Sequence, residues 1–209
     1  MRYLAGHAPY VGTLLLQHVM LTLAALGIAL AIALPLGVWA SRNRRAKGAI
    51  LAIFGAIYTL PSLAVLALLV PVFGLNFTTA LVALVAYAQM ILIRNVAVAL
   101  EEVPLALRDA ARGLGMTPLQ CFLRVELPQA LPVVLGGVRI AAVALVAMAN
   151  LAAWIGAGGL GVLIFAGIQH EETDKLVIGS VLSALLALGA SALVYGLERD
   201  ARRRAGALR

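Results

Sequence analysis

Charge is what this sequence has least of. Asp, Glu, Lys and Arg together make up 12% of its 209 residues, against about a quarter in an average soluble domain. Aromatics are also scarce, at 6%, whereas 63% of residues are apolar and mean hydropathy is +1.03. These values exclude an ordinary soluble enzyme, a disordered chain and a secreted disulfide scaffold. A single cysteine, Cys121, leaves no internal disulfide and no cysteine-based metal site. His7, His18 and His170 are scattered and no H-E-x-x-H occurs, so no metal centre is expected. No G-x-x-x-x-G-K-[ST] is present, so the chain has no P-loop of its own for ATP. With five serines and no G-x-S-x-G, nothing suggests an intramembrane hydrolase. The apolar runs contain no acids either, which disfavours a carrier driven by protons or sodium, because such carriers place ionisable groups near the midplane. What remains is a polytopic membrane protein; if it transports, another subunit supplies the energy.

The crossings follow from the gaps between charges. No charged residue occurs from Tyr3 to Ser41, Gly48 to Ile93, Ile140 to His170, or Leu176 to Leu197. A membrane helix needs about 20 apolar residues. The second gap is long enough for two helices, with its break at Pro71 to Thr79, where Pro, Gly and Asn mark a turn. The first reads as one helix kinked at Pro35, preceded by an interfacial segment. The expected fold is an all-α helical bundle of five transmembrane helices, at about 18–40, 49–71, 79–100, 133–156 and 176–197, within a single domain 1–209. Helices are preferred to a barrel because the runs are long, uniformly apolar and without alternation. The segment after Arg2 has no short apolar core with a cleavage site and is expected to be retained.

Orientation follows from the cations. Arg42, Arg44, Arg45, Lys47, Arg108, Arg112, Arg124, Arg199, Arg202, Arg203, Arg204 and Arg209 fall in segments on one side. Arg94 and Arg139, near span ends, are expected to snorkel toward the same side, leaving Arg2 and Lys175 on the other. The positive-inside rule makes the rich side cytoplasmic, with the N-terminus outside and the C-terminus inside. The net charge of +7 is then mostly topology and contact with anionic lipid. Basic residues split among loops do not form a nucleic-acid patch.

Gly156-Ala157-Gly158-Gly159-Leu160-Gly161 matches G-x-G-x-x-G. With a membrane span before it and no βαβ unit, it reads as a turn or close backbone approach rather than a dinucleotide site. The cytoplasmic segment 101–128 is more informative. Pro104 can start a helix; Leu107, Ala111 and Leu114 then recur on one apolar stripe. Gly115 suits the left-handed residue that ends such a helix. Thr117-Pro118-Leu119-Gln120 reads as a capping box that starts a second helix running toward Glu126. Pro128 and Pro132 mark the entry to the fourth span. Local physics leaves two readings open: a docking element, or a structural loop on the lipid surface.

Asp109-Ala110-Ala111, then Gly115, then Val125-Glu126-Leu127-Pro128 resembles the EAA loop of ABC importer permeases, with Asp109 for Glu and Val125 for Ile. His18 with Leu21-Thr22, Pro61-Ser62-Leu63-Ala64, Tyr87-Ala88, Arg94-Asn95 and Ile155 to Gly161 are similar to permeases for glycine betaine, choline and carnitine. The resemblance implies a coupling helix carrying Asp109, Ala110, Ala111, Gly115, Leu107 and Leu114. It implies as partners cytoplasmic ABC ATPase subunits, a second permease copy or paralogue and an extracytoplasmic substrate-binding protein. It also implies multi-pass placement in a bacterial or archaeal inner membrane. The chain itself would bind no cofactor; ATP and Mg are used by the ATPase. A quaternary amine favours aromatic faces, which makes Tyr58, Tyr87 and Trp154, with Gln89 and Asn95, candidates for the translocation path. Interfacial anchoring and helix packing are the alternative roles for these five. A permease for methionine or another small polar solute, and a membrane scaffold without transport, are the competing functions.

Overall fold

In the computed structural model, which describes residues 2–206, the protein is all-α. Helix α1 is Arg2–Arg42, α2 Arg44–Thr59, α3 Ser62–Phe73 and α4 Phe77–Glu101. Two short helices follow, α5 Leu105–Gly113 and α6 Pro118–Cys121. A π segment, Phe122–Glu126, joins α6 to α7, Leu127–Ala149. A 3₁₀ turn at Leu151–Ile155, α8 Gly161–Gln169 and α9 Thr173–Gly206 complete the chain. Arg209, counted above for orientation, lies outside the described residues. Among those residues, four helical stretches are long and apolar enough to cross a membrane: Gly6–Arg42, Phe77–Glu101, Pro118–Ala149 and Thr173–Gly206.

The fifth expected span, 49–71, is not one straight helix. Its residues form α2 and α3, bent by 97° at Leu60-Pro61. The residue before a proline is pushed out of the α region, and Leu60 is accordingly extended at ψ 142°. The Leu60 carbonyl freed by the break accepts a bond from the Tyr87 hydroxyl of α4. Pro35, by contrast, sits inside a continuous α1. The N-terminal segment expected at the interface is helical too, with a non-helical residue at His7.

Helix α4 is the centre of the bundle, with α1 on one side and α7 on another. Both contacts depend on small residues, as is usual where helices pack in lipid. Ala25, Ala29, Ala33 and Ala40 of α1 are fully or almost fully buried. A Cβ on Gly37, in the same stripe, would lie 2.5 Å from Val96 of α4. On α7, a Cβ on Gly137 would lie 2.4 Å from Cβ of Asn95.

The fourth span is displaced from its expected 133–156. Its helix starts at Pro118 and ends at Ala149. Pro128 lacks an N–H, and its ring crowds the carbonyl four residues back. The preceding π turn takes up this misfit: the N–H of Leu127 donates to Phe122, five residues back. The helix that begins at the capping box therefore runs through both prolines into the span. The glycine-rich stretch forms the turn expected of it, with Gly156, Gly158 and Gly159 all at positive φ. Helix α8 then folds against α9. Arg139 does not stand free: its Nε lies 3.5 Å from Oε2 of the buried Glu198, and its guanidinium sits over Tyr195. Arg94 is exposed on α4.

Candidate functional site

Helix α5 begins after Pro104 and ends in a Schellman turn. The N–H of Met116 donates to Ala111 (3.1 Å), that of Gly115 donates to Arg112 (2.9 Å), and Gly115 has φ 76°. Thr117 and Gln120 then form the reciprocal capping box at 3.3 and 2.9 Å. Both boundaries read from the sequence are present. The apolar stripe is divided: Ala111 is buried and Leu107 half-buried, but Leu114 is 79% exposed. Leu105, 70% exposed, is a second bare leucine on this helix. Asp109 and Ala110 are exposed beside them. Asp109 Oδ1 lies 3.8 Å from Arg112 Nη1, a surface pair contributing little to stability.

Beneath α5 lies a carboxylate that the sequence reading quoted but did not single out. Glu126, 4% exposed, accepts from the Arg42 guanidinium of α1, and its Oε1 lies 3.4 Å from Arg108 Nε of α5. Arg108 also donates to the Leu100 carbonyl at the end of α4. Close by, Lys47 of α2 meets Glu101 of α4 at 2.6 Å. A signal was present: Glu126 is the one acid between Asp109 and Glu171, in a segment holding Arg108, Arg112 and Arg124.

The five path candidates are spread over α2, α4 and the 3₁₀ turn at Leu151–Ile155. Tyr58 is exposed and meets the buried Tyr87 edge-on at 6.1 Å. Gln89 is buried and donates to Ala29 and Val85 carbonyls, both at 3.3 Å. Asn95 donates to Ile91 at 2.8 Å. Trp154 is exposed and packs edge-on against Phe165 of α8 at 5.2 Å, beside a shallow groove.

At the opposite end from α5, His18 joins three parts of the chain. Its Nδ1 accepts from the N–H of Leu160 (3.2 Å), so Nε2 carries the proton donated to Val146 (3.1 Å). Gln17 accepts from Gly159 at 3.1 Å. Asn150 accepts from Ser183 of α9 at 2.9 Å. The α1–α7 pair thereby holds the glycine turn. Replacing His18 with Leu leaves the Leu160 N–H without its partner. The expected loss is about 1–3 kcal/mol, read as a lower unfolding midpoint in detergent. An unchanged midpoint would mean that this group has another acceptor.

A multi-helix membrane bundle that leaves a short helix bare on a fixed base has the form of a subunit working with partners. Residues 18–203 match the family described as binding-protein-dependent transport system inner membrane component, and the chain belongs to that family. Osmoprotectant import permease protein OsmW of Salmonella typhimurium is 36% identical over 201 residues, covering 94% of each chain. Choline transport system permease protein OpuBB of Bacillus subtilis is 37% identical, over 82% of this chain and 79% of its own. Among solved structures, a chain of the MetNI methionine ABC transporter in an inward-facing conformation aligns with TM-score 0.81 at 24% identity, over 91% and 95% of the two chains; it shows the fold. The protein is thus a non-catalytic, multi-pass ABC-importer permease of an inner membrane. Its family works with an ATPase, a paralogous permease and a substrate-binding protein.

Proposed function

We propose that residues 1–209 form one transmembrane domain of an importer for quaternary-ammonium osmoprotectants such as glycine betaine, choline or carnitine. The observation that carries the substrate class is the 36% and 37% identity to permeases named for osmoprotectant and choline import. The bent pair α2–α3 counts as the fifth crossing, giving an outside N-terminus and an inside C-terminus. Helix α5, with Asp109, Ala110, Leu114 and the turn at Gly115, is the surface that docks on the ATPase. Small alanines allow close approach, and the exposed leucines supply apolar area. The solute passes between two bundles, because one bundle fills its own centre with α4. Tyr58, Tyr87, Gln89, Asn95 and Trp154 remain the path candidates. ATP-driven closure of the ATPases brings the two α5 helices together and reorients the bundles. The switch draws its energy from contacts that differ between the two states.

The test is uptake by the whole transporter in cells lacking other osmoprotectant systems. Labelled glycine betaine, choline, carnitine and methionine are offered separately. ATP-dependent accumulation of at least one quaternary amine is expected. Accumulation of methionine with none of the other three would overturn the substrate class.

A further inference from the structure

We infer that Glu126 is a positioning residue of the coupling step. It fastens the docking helix α5 to the cytoplasmic end of α1, and holds the Arg108 that reaches α4, so that a displacement of α5 carries those helices with it. The inference rests on the reading of α5 as the ATPase-docking helix.

The apolar attachment of α5 is slight. Of its nine residues only Ala111 is buried, and the helix packs chiefly against α6 and the π segment. A push delivered to its outer face would be poorly transmitted by that contact alone. Glu126 supplies the missing tie. One oxygen takes Arg42, the last residue of α1; the other faces Arg108 of α5. α5 and α1 thus meet at one buried carboxylate, and Arg108 reaches on from it to the Leu100 carbonyl of α4. Side-chain exposure is 6% for Glu126 and 16% for Arg108, so water screens this pair little. Removing one partner from such a pair leaves the other charge uncompensated. Glu126 is also the last residue of the π turn, rigidly continuous with α7. Through Arg42 the node reaches α1, which packs along α4, and through its own backbone it reaches α7, which packs on α4 as well. Coupling of this kind requires packed or bonded elements with more than one arrangement.

The experiment uses the complete transporter, with its ATPase, second permease and binding protein, in lipid vesicles. ATP hydrolysis and glycine betaine uptake are measured on the same preparation. Glu126→Gln keeps size and an acceptor but removes the charge. The ATPase is expected to copurify in normal proportion and to hydrolyse ATP, while uptake per ATP falls about tenfold. Glu126→Asp is expected to restore part of that ratio. An unchanged ratio in Glu126→Gln, or loss of the ATPase from the complex, would overturn the inference. If Glu126→Gln does not insert, Arg42→Gln, which detaches only α1, is the second measure: a lower ratio supports the node and an unchanged one rejects it. Asp109→Lys is assayed alongside. Gly115→Val is assayed with it: normal uptake by both Asp109→Lys and Gly115→Val would reject the docking reading itself, whereas a defect in either with a normal Glu126→Gln rejects only the node. If glycine betaine is not carried, the same ratio is measured with whichever labelled solute the transporter accumulates.

Discussion

Gly161→Ala is expected to remove nearly all folded protein from the membrane. A Cβ at this position would stand 2.0 Å from the carbonyl oxygen of Asn150 and 2.7 Å from its carbon. Both are backbone atoms, so no rotamer change can relieve the contact. Asn150 is itself held, since its side chain accepts from Ser183 of α9 and the preceding turn carries the Val146 bond to His18. Overpacking a well-filled core costs about 1–3 kcal/mol when side chains can shift; with backbone on the opposing side the loss should reach or exceed the top of that range. Gly189→Ala is the control, because nothing lies within 4 Å of a Cβ there. Alanine in an exposed helix interior is favoured over glycine by about 1 kcal/mol, so that variant should be as stable as the parent or more so. Monodisperse protein recovered in detergent is the measurement. Equal recovery of Gly161→Ala and parent would show that α8 does not need this close approach.

The same region shows what the sequence could and could not convey. Glycines at 156, 158, 159 and 161 announced a turn or a close approach, and both occur. They did not announce α8, because a short, mostly apolar stretch without charges looks the same whether it extends a span or folds back against α9. The boundaries of α5 and α6 were legible for a different reason: Gly115 and Thr117-Pro118-Leu119-Gln120 act through bonds within a few residues, so local chemistry decides them. The break at Leu60-Pro61 was not legible. Pro35 and Pro61 offer the same local chemistry, yet only one helix breaks. The difference is tertiary: Tyr87, 27 residues on, stands ready for the carbonyl that the break releases. Glu126 illustrates the same limit. Its isolation among cations was visible, but its pairing with Arg42 and Arg108 depends on where α1 ends and α5 begins in space. For the candidate site, helix α5 and its end were readable, and the Glu126 contacts beneath it were not. The division of the Leu107, Ala111 and Leu114 stripe was hidden too, because a helix with little to pack against cannot bury a full stripe.

Asp109→Lys and Gly115→Val should each separate ATP hydrolysis from uptake while leaving the bundle inserted. Neither position contributes much to the fold. Asp109 is largely exposed, and its pair with Arg112 at 3.8 Å is of the surface kind worth less than about 1 kcal/mol. Nothing lies within 4 Å of a Cβ on Gly115, so valine there meets no steric wall. What it meets is the backbone: φ 76° is a left-handed conformation that a β-branched residue resists. The Schellman bonds from Gly115 and Met116 must then loosen, and α5 leaves its angle to the capping box at Thr117. Lysine at 109 acts differently, replacing an anion on the outer face with a cation beside Arg112. Both changes bear on the surface proposed to dock on the ATPase, one by orientation and one by charge. A coupling free energy of the usual size corresponds to about 5–150-fold, and uptake per ATP should fall within that range for each variant. Uptake and hydrolysis are measured together on the reconstituted transporter, with membrane insertion checked by recovery from the lipid fraction. Normal uptake by both variants would sink the assignment of α5 as the coupling helix. A defect in Gly115→Val alone would place the requirement on the turn and not on the charge, because Asp109 would then be dispensable at a surface whose orientation still matters.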